Sequence, residues 1–435
     1  MTYSTNGSNI LISLASGIYD SLTLNILVKV RSPLARFSMT TLRPAMPMKT
    51  KATLVALGLI ASASFAYAAQ GVTADKITVG SLQDLSGPIA GFGKQIRFGM
   101  TLRMQEINEQ GGINGRMLDI KFEDTQYDPK KAVLGAQKLV NQEKIFAMLG
   151  TLGTAPNMAA MPIQFAKQVP NFFPVTAARQ MYEPFHKLKF SYAVPYYDQM
   201  RIFAGKLAKE KGANKVCAMY QDDDFGTEVL EGAKDGLADH GMSIAVTTSF
   251  KRGATDFSSQ MQKLASEKCD MVVLGTIIRE TIGGIATARR MGFNPIFLGS
   301  SAAYTDLIHK LGKGAMDGLY ATMTAANPYL DAADKNVSRW AVKYKTAFNE
   351  DPTVFSVYGY NLVDIFAEAA TQAGKNLTSD TFVKAMETMK IPNDIFGSPA
   401  QSFGPNKRLG SNETRLSQLQ SERWVVVSPY SSLKK

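Results

Sequence analysis

Apolar positions along the chain follow two spacings that alternate from about residue 76 onward. The stretch Ile77-Thr78-Val79-Gly80 has the short, β-branched character of a buried strand, and a glycine-rich turn follows it. The next apolar residues recur at intervals of four, four and three, which puts them on one helical face: Ile96, Met100, Met104 and Ile107. Gly111-Gly112 is typical of a helix end, so the first unit is predicted as strand, turn and helix.

This alternation continues and then restarts, which predicts two similar halves. Further strands are predicted at 117–123, 145–150, 171–175 and 190–195, with helices at 129–141 and 156–167. A second series runs from Lys215 to Gly299. Strands separated by one helix need crossover connections and form mostly parallel sheets, so we expect an α/β fold with two doubly wound lobes.

The C-terminal part departs from this rhythm. Long helices are predicted at 334–348 and 355–372, followed by a shorter one at 379–389. The apolar stretches around Phe403 and over 424–427 are predicted to form a closing pair of strands.

The segment 48–68 has the three parts of a secretory signal. Met48-Lys49-Thr50-Lys51 is a short basic head, residues 52–63 are almost wholly apolar, and Ala66-Tyr67-Ala68 offers small residues around a cleavage site. The apolar run is too short to anchor the protein stably in a membrane. We expect cleavage after Ala68 and a periplasmic product, with translation beginning at Met48 or Met46, and residues 1–47 untranslated or disordered.

The net charge of +11 does not indicate nucleic-acid binding. Six basic residues against a single acid lie in the first 68 residues, and the remaining Lys and Arg residues are scattered among acids without a basic run. Hydrophobic residues at 45% and charged residues at 20% are ordinary values for a globular protein.

The residues that usually carry catalysis are sparse. The three histidines, His186, His240 and His309, have no partner at metal-ligand spacing, and no nucleophile elbow or phosphate loop is present. We therefore expect no enzyme activity, no cofactor and no metal. Cys217 and Cys269 can form a disulfide after export or pack as small apolar residues. Cys217 lies in the middle of a predicted strand and Cys269 at the start of another, so we expect them at different heights in the sheet.

Two loops at the carboxyl ends of predicted strands have the composition of a carboxylate site. In 150–156, Thr151, Thr154 and Ala155 lie where a strand ends and a helix opens, so a hydroxyl at Thr154 can cap the helix and free N–H groups can bind an anion. The second loop, 174–179, adds Thr176, Ala177 and Ala178 at the same edge of the sheet. A plain helix cap with nothing bound is the alternative.

Four segments in order resemble the branched-chain amino-acid-binding type of periplasmic protein, and the resemblance runs from about Ala74 to the C-terminus. They are Ile77–Gly80 leading to the Asp84–Pro88 loop with Ser86, then Asn108–Arg116, Glu123–Pro129 and Tyr220–Gly226. The resemblance implies a type I periplasmic binding fold whose lobes close on a ligand like a hinged trap, with three crossings between them. On this basis we expect residues 69–195 and 326–390 in lobe 1, and 196–325 and 391–435 in lobe 2.

The resemblance also implies a function and a set of site residues. The Thr154 and Thr176 loops would hold a ligand carboxylate, and the opposing lobe would contribute Tyr196 or Tyr197, Phe225 and Ile278. Relatives that bind α-amino acids commonly have an acid after the strand that ends at Gly299, whereas this chain has Ser300, Ser301 and Tyr304 in that loop. An unpaired buried ammonium group is costly, so aromatic or other organic acids are open alongside hydrophobic amino acids.

The predicted function is therefore solute capture for an ABC importer. The expected partners are a small-molecule ligand and inner-membrane permease and ATPase subunits, and the protein is expected to be a monomer. A ligand-sensing domain of the same fold is the alternative, and an enzyme on an α/β scaffold is disfavoured.

Overall fold

A computed structural model describes residues 69–433, so the predicted signal peptide and the segment upstream of it lie outside the described residues. The first of its main sheets has five parallel strands in the order β2-β1-β3-β4-β5. They are β1 (Lys76–Gln83), β2 (Met117–Asp124), β3 (Met148–Leu149), β4 (Asn171–Phe172) and β5 (Lys189–Phe190). Parallel strands are covered on both faces, and accordingly seven of the eight residues of β1 are buried.

Six helices accompany this sheet and form the first lobe with it. They are α1 (Ala90–Glu109), α2 (Pro129–Gln137, continued by a π-helical turn over Lys138–Gln142), α3 (Thr154–Phe165), and, from the C-terminal part, α9 (Lys335–Phe348), α10 (Val354–Ala373) and α11 (Ser379–Thr388). Helices α1 and α10 approach closely because Gly99 lies at their contact, where an added Cβ would be 2.0 Å from the Ser356 carbonyl oxygen.

The second main sheet has seven strands in the order β14-β13-β10-β9-β8-β6-β7, and a small separate sheet pairs β11 with β12. The ranges are β6 (Val216–Gln221), β7 (Ile244–Phe250), β8 (Met271–Gly275), β9 (Ile296–Gly299), β10 (Tyr320–Met323), β11 (Lys390–Ile391), β12 (Gln401–Ser402), β13 (Thr414–Gln420) and β14 (Arg423–Ser431). Strands β6 to β10 are parallel to one another, and β13 and β14 are antiparallel additions.

Five helices lie between the strands of this second lobe. They are α4 (Tyr196–Lys211), α5 (Asp224–Ala238), α6 (Ser258–Ser266), α7 (Ile278–Arg290) and α8 (Asp306–Gly312), with short 3-10 turns over Ser301–Ala303 and Lys313–Met316. A further 3-10 turn, Arg179–Met181, lies between β4 and β5 of the first lobe. The chain passes between the two sheets after β5, after β10 and again before β13. The predicted α/β class with two doubly wound lobes is therefore confirmed, whereas the lobe boundaries at 195, 325 and 390 stay a prediction.

Two expectations from the sequence are wrong. Phe403 does not pair with the stretch 424–427: the partner of β14 is β13, joined to it through Ser421 and Glu422, which both have positive φ. The tight turn brings the nearest upstream strand alongside and leaves Phe403 to pack on Phe173 and Phe190 of the first lobe.

The two cysteines lie side by side, contrary to the expectation that they are at different heights in the sheet. Cys217 and Cys269 form a disulfide with their Cα atoms 5.9 Å apart. The chain turns through Lys268, which has a φ of +55°, immediately before Cys269, and this turn brings the second cysteine beside β6. A disulfide is typical of proteins that fold in an oxidising compartment.

No helix within residues 69–433 is both long enough and apolar enough to cross a membrane. In the same residues, no group of three or more His, Cys, Asp or Glu side chains is arranged to hold a metal ion.

Candidate ligand-binding site

A cavity lies where the carboxyl ends of the first-lobe strands face the second lobe. Seven aromatic residues line it, and they are Phe92, Tyr127, Tyr192, Tyr196, Phe225, Phe355 and Tyr358. The hydroxyl side chains in the lining are Thr154, Thr176, Ser301 and Thr324, and the aliphatic and small residues are Ile89, Leu152, Gly153, Val175, Ala177, Ala193, Ile277 and Ala302. This is the edge at which parallel sheets hold their ligands.

The polar end of the cavity is built around the first turn of α3. The N–H groups of Thr154 and Ala155 have no intrahelical partner because they are the first of the helix, and the N-cap residue Gly153 has no side chain to accept from them. The Thr154 hydroxyl lies 2.6 Å from the Thr176 hydroxyl, which joins the two predicted loops directly. Two hydroxyls and the positive end of a helix therefore face one point in the cavity.

Thr154 does not cap the helix, contrary to the sequence expectation. Helix α3 begins at Thr154, two residues before the predicted start, so this threonine is inside the first turn and its side chain is turned to Thr176. The loop is stiffened instead by Asn157, whose Nδ2 donates to the carbonyl oxygens of Thr151 and Gly153, each at 2.8 Å.

Tyr196 brings a third hydroxyl to the same end from the start of α4. Its backbone N–H donates to the Ala177 carbonyl oxygen at 2.6 Å, and its ring packs edge-on against Phe225 with centroids 5.0 Å apart. Burial raises the pKa of the Tyr196 hydroxyl, which also lies beside the Thr176 side chain. The phenol is therefore protonated at neutral pH and can donate a hydrogen bond.

The remaining walls are aromatic and closely packed. Phe92 and Phe355 stack with centroids 3.7 Å apart and planes 13° apart, on the side formed by α1 and α10. Tyr127 closes the opposite side, where the Arg252 guanidinium lies 4.8 Å from its ring centroid. Such walls match a flat apolar group.

None of the nineteen lining residues, all in the described part of the chain, is acidic or basic. Two acids of the second lobe, Asp198 and Glu280, also lie outside this lining. Asp198 lines a separate cavity with Tyr182 and Arg408, and burial raises the pKa of Asp198 to about 6. Glu280 does not line the cavity and is only 2% exposed, and burial raises its pKa as well.

Six of the fourteen residues named from the sequence meet in this cavity: Thr154, Thr176, Ala177, Tyr196, Phe225 and Ser301. Two others are chain neighbours of lining residues, since Ala155 follows Thr154 in α3 and Ile278 follows Ile277 at the start of α7. Thr151 is fully buried in the adjoining loop, where its hydroxyl lacks a hydrogen-bond partner among the described residues.

The other five have side chains committed elsewhere. Ser86 bonds to Asp124 and Gln126 on the surface, and Ala178 packs with Met161 and Met181. The Tyr197 hydroxyl donates to Asp235, and the Ser300 hydroxyl accepts from the Ala302 N–H. The Tyr304 hydroxyl accepts from the Asn327 N–H, and its ring packs against Trp424. Their role in ligand binding stays a prediction.

Sequence reasoning missed most of the aromatic wall. Phe355 and Tyr358 lie in α10 at a spacing that is equally typical of a packed helix, so nothing distinguished them from the core. Tyr127 had a detectable signal, because it falls within the 123–129 segment that carries the family resemblance; its φ is +57°, which is rare for an aromatic residue.

Ion pairs join the lobes beside the cavity. The Arg179 Nε of the first lobe is 2.9 Å from Glu228 Oε1 in α5, and Arg179 Nη2 is 2.6 Å from Glu231 Oε2. The Arg179 guanidinium also lies 4.1 Å from the Tyr197 ring centroid. The second lobe is therefore held against the loop that carries Thr176.

Comparison with known proteins finds a family model and a relative that each match most of this chain. Residues 76–423 match the family model described as periplasmic binding protein. A leucine-, isoleucine-, valine-, threonine- and alanine-binding protein of Pseudomonas aeruginosa is 26% identical over 311 residues, covering 71% of this chain and 82% of that protein.

Two solved structures share the fold. A fatty acid ABC transporter substrate-binding protein from Thermomonospora curvata has a TM-score of 0.76 and 23% identity, over 84% of this chain and 95% of that one. An ABC transporter solute-binding protein from R. palustris in complex with benzoate has a TM-score of 0.73 and 18% identity, over 82% and 98%. Because the family model spans more than three quarters of the sequence, the chain belongs to the periplasmic binding protein family.

Proposed function

We propose that this solute-binding protein of an ABC transporter captures a small monocarboxylic acid that has no amino group, with an aromatic or other apolar body. The observation that carries the proposal is the lining of the cavity, which combines a hydroxyl-rich end with aromatic walls and has no charged side chain among the described residues. After export, the loaded protein would deliver the acid to permease and ATPase subunits in the inner membrane.

The carboxylate end is supported by the chemistry of three hydroxyls and a helix terminus. Thr154, Thr176 and Tyr196 can each donate to a carboxylate oxygen, and the N–H groups of the first turn of α3 add donors aligned with the helix dipole. Hydrogen bonds to a charged group each contribute about 1.5–3 kcal/mol, so a carboxylate can be bound here without a lysine or arginine.

The absence of an acid in the lining argues against an α-amino acid. The ammonium group would lose water on closure and gain no carboxylate, because Asp198 and Glu280 do not line the cavity. Burying a charge without a partner costs several kcal/mol. The amino-acid-binding relative from Pseudomonas supports the second candidate, a hydrophobic amino acid, and the benzoate-bound protein from R. palustris supports the first.

Matched pairs of ligands that differ only in the amino group test the proposal. Calorimetric titration of residues 69–435 should give tighter binding of 3-phenylpropionate than of phenylalanine, and of 4-methylpentanoate than of leucine. The expected ratio is roughly tenfold for each 1.4 kcal/mol of unpaired charge. Tighter binding of phenylalanine or leucine would contradict the proposal and assign the protein to the amino-acid binders.

A further inference from the structure

A second, larger chamber adjoins the cavity described above. Tyr192 and Tyr358 line both spaces, so their side chains form the partition between them. Beyond the partition, the second chamber lies between helix α10 and the segment 391–401. The two chambers together extend from the hydroxyl-rich end at Thr154 to the far side of α10.

The partition consists of two tyrosine side chains that make few polar contacts. The two tyrosine rings meet edge to face with centroids 5.5 Å apart. The Tyr358 hydroxyl lies 3.2 Å from the Thr324 hydroxyl, and Tyr192 is only partly buried, with no side-chain hydrogen bond to another described residue. Rotation of either ring would break at most one neutral hydrogen bond and would give up its ring contact with Phe173 or Phe355. A narrow apolar ligand that passes between the rings would replace these contacts.

The second chamber is lined by apolar and acidic side chains. Its walls include the apolar side chains of Trp340, Ile391 and Phe396, and its polar groups include the carboxylates of Asp364 and Asp394. None of the residues that line it, all within 69–433, is a lysine, arginine or histidine. Arg103 pairs with Asp364 from outside the lining, at 2.6 Å, whereas Glu368 and Asp394 form no ion pair among the described residues. An apolar chain is compatible with this environment, but a second carboxylate would lose water next to the like charges of Glu368 and Asp394.

One buried group in the chamber is without a partner. Trp340 is 7% exposed, and its indole N–H lacks an acceptor among the described residues. A buried donor of this kind is costly when it is unpaired. The N–H itself has almost no accessible surface, so a ligand in the chamber meets the apolar ring of Trp340 rather than its donor.

We propose that the second chamber is a subsite for the far end of the ligand, so that the protein takes elongated monocarboxylic acids and rejects the corresponding dicarboxylic acids. This inference rests on the proposed function: the carboxylate is held at Thr154 and Thr176, and the apolar chain extends past Tyr192 and Tyr358. The uncharged end of the chain then lies beside Trp340.

A series of straight-chain acids tests the inference. Titration with butanoate, hexanoate, octanoate and decanoate should show affinity rising by about three- to fourfold per methylene, as each added group is buried. Octanedioate should bind roughly tenfold or more weakly than octanoate, because its second carboxylate would lie among the acids of the chamber. Affinity that is level beyond hexanoate, or equal for octanoate and octanedioate, overturns the inference.

A matched pair of variants locates the effect. Ile395 lines the second chamber but not the first and is 43% exposed, so Ile395→Trp should fill the chamber with little cost to folding. Leu134→Trp, at an exposed position on α2, is the control. Decanoate should lose at least tenfold in affinity for Ile395→Trp and none for Leu134→Trp.

Benzoate tests the proposed function separately from the subsite in the second chamber, because it is short enough for the first chamber alone. Both variants should bind benzoate like the unmodified protein. Unchanged binding of decanoate to Ile395→Trp overturns the second chamber as a subsite, while benzoate binding preserves the proposed function. Failure of benzoate and of all the straight-chain acids to bind the unmodified protein overturns both.

Discussion

At the scale of single residues, the candidate site offers hydroxyl and backbone N–H donors to a carboxylate and has no positive side chain in its lining. Thr154 and Thr176 share a hydrogen bond of 2.6 Å, so each hydroxyl has the other as a neighbour when no ligand is bound. A carboxylate that displaces this bond gains two donors that are already in position. Preorganised donors of this kind cost little entropy to order and are therefore effective.

The first residue-scale prediction concerns the Thr154 hydroxyl. Thr154→Val keeps the volume of the side chain and removes one donor, so affinity for the bound acid should fall by about 1–3 kcal/mol. The fold should be retained, because the valine would only lose the bond to Thr176. Calorimetry with 3-phenylpropionate measures the change.

Thr151→Val is the matched control for this prediction. Thr151 is three residues away in the same loop, is fully buried and has no hydrogen-bond partner for its hydroxyl within the described residues. Affinity should therefore be unchanged. Equal losses in the two variants would mean that the loop responds to any substitution and would remove the specific role of Thr154.

Residue types in loops were more informative before the structure than residue types in helices. Thr154 and Thr176 could be singled out because both follow predicted strands in loops of small residues, at the sheet edge where ligands are held, although a hydroxyl there also suits a helix cap. Tyr304 could not be excluded in the same way. Its ring is turned into the second lobe against Trp424, and its hydroxyl accepts the Asn327 N–H, a partner 23 residues away in sequence.

At the scale of elements, the turn from β3 into α3 fixes the geometry of the site. Gly153 has a φ of +94° and a ψ of 148°, a conformation that is open to glycine and strained for other residues. An added Cβ would lie 2.4 Å from Tyr127 Cε2. The turn therefore needs glycine for its backbone conformation and for its contact with the cavity wall.

Gly153→Ala should impair both stability and binding. The backbone strain should cost about 1–3 kcal/mol of unfolding free energy, and displacement of Tyr127 should weaken ligand affinity in addition. Gly111→Ala provides the comparison, because Gly111 has a φ of +95° with open space around its Cβ position. Urea denaturation and titration should show that Gly111→Ala loses stability but keeps its affinity; a normal affinity for Gly153→Ala would contradict the role of this turn.

The order of strands and helices was predictable because its signal is periodic and local. The spacing of Ile96, Met100, Met104 and Ile107 defines α1, and the run Met271–Gly275 is a fully buried strand, as its apolar sequence suggests. The C-terminal pairing was not predictable from apolar runs. In strand β13 the alternation of buried and half-buried residues is interrupted, because Leu416 and Ser417 are both buried where the pairing register shifts, and its partner is set by the turn at Ser421 and Glu422.

At the scale of the whole molecule, the arrangement of two lobes around a cavity depends on contacts distant in sequence. The family resemblance predicted the lobes and the hinged fold, because its motifs lie in the strand-to-helix loops of both. It did not predict the aromatic wall from α10, since residues 355–358 follow β5 by more than 160 positions and reach the cavity only through packing on α1. The predicted positions of the two cysteines along their strands did not reveal the disulfide either, because it depends on the turn at Lys268.

Closure of the lobes is expected to depend on the ion pair between Arg179 and Glu228. The Glu228 side chain is 4% exposed, and burial raises its pKa although Arg179 lies 2.9 Å away. Arg179→Gln would leave this carboxylate buried without a cation in the closed state, whereas opening of the lobes would return it to water. The substitution should therefore favour the open form, and affinity for 3-phenylpropionate should fall by about 1–2 kcal/mol, mainly through faster dissociation.

Two further variants separate this effect from a general loss of charge. Arg201→Gln removes an exposed ion pair within the second lobe, in which Arg201 Nε of α4 lies 2.8 Å from Asp239 Oδ2 at the end of α5. Dissociation should be unchanged, because neither charge is at the contact between the lobes. The double variant Arg179→Gln with Glu228→Gln removes the unpaired carboxylate and should recover part of the lost affinity. Stopped-flow measurement of ligand dissociation distinguishes these cases. A dissociation rate for Arg179→Gln equal to that of the unmodified protein would show that the lobes close without help from this pair.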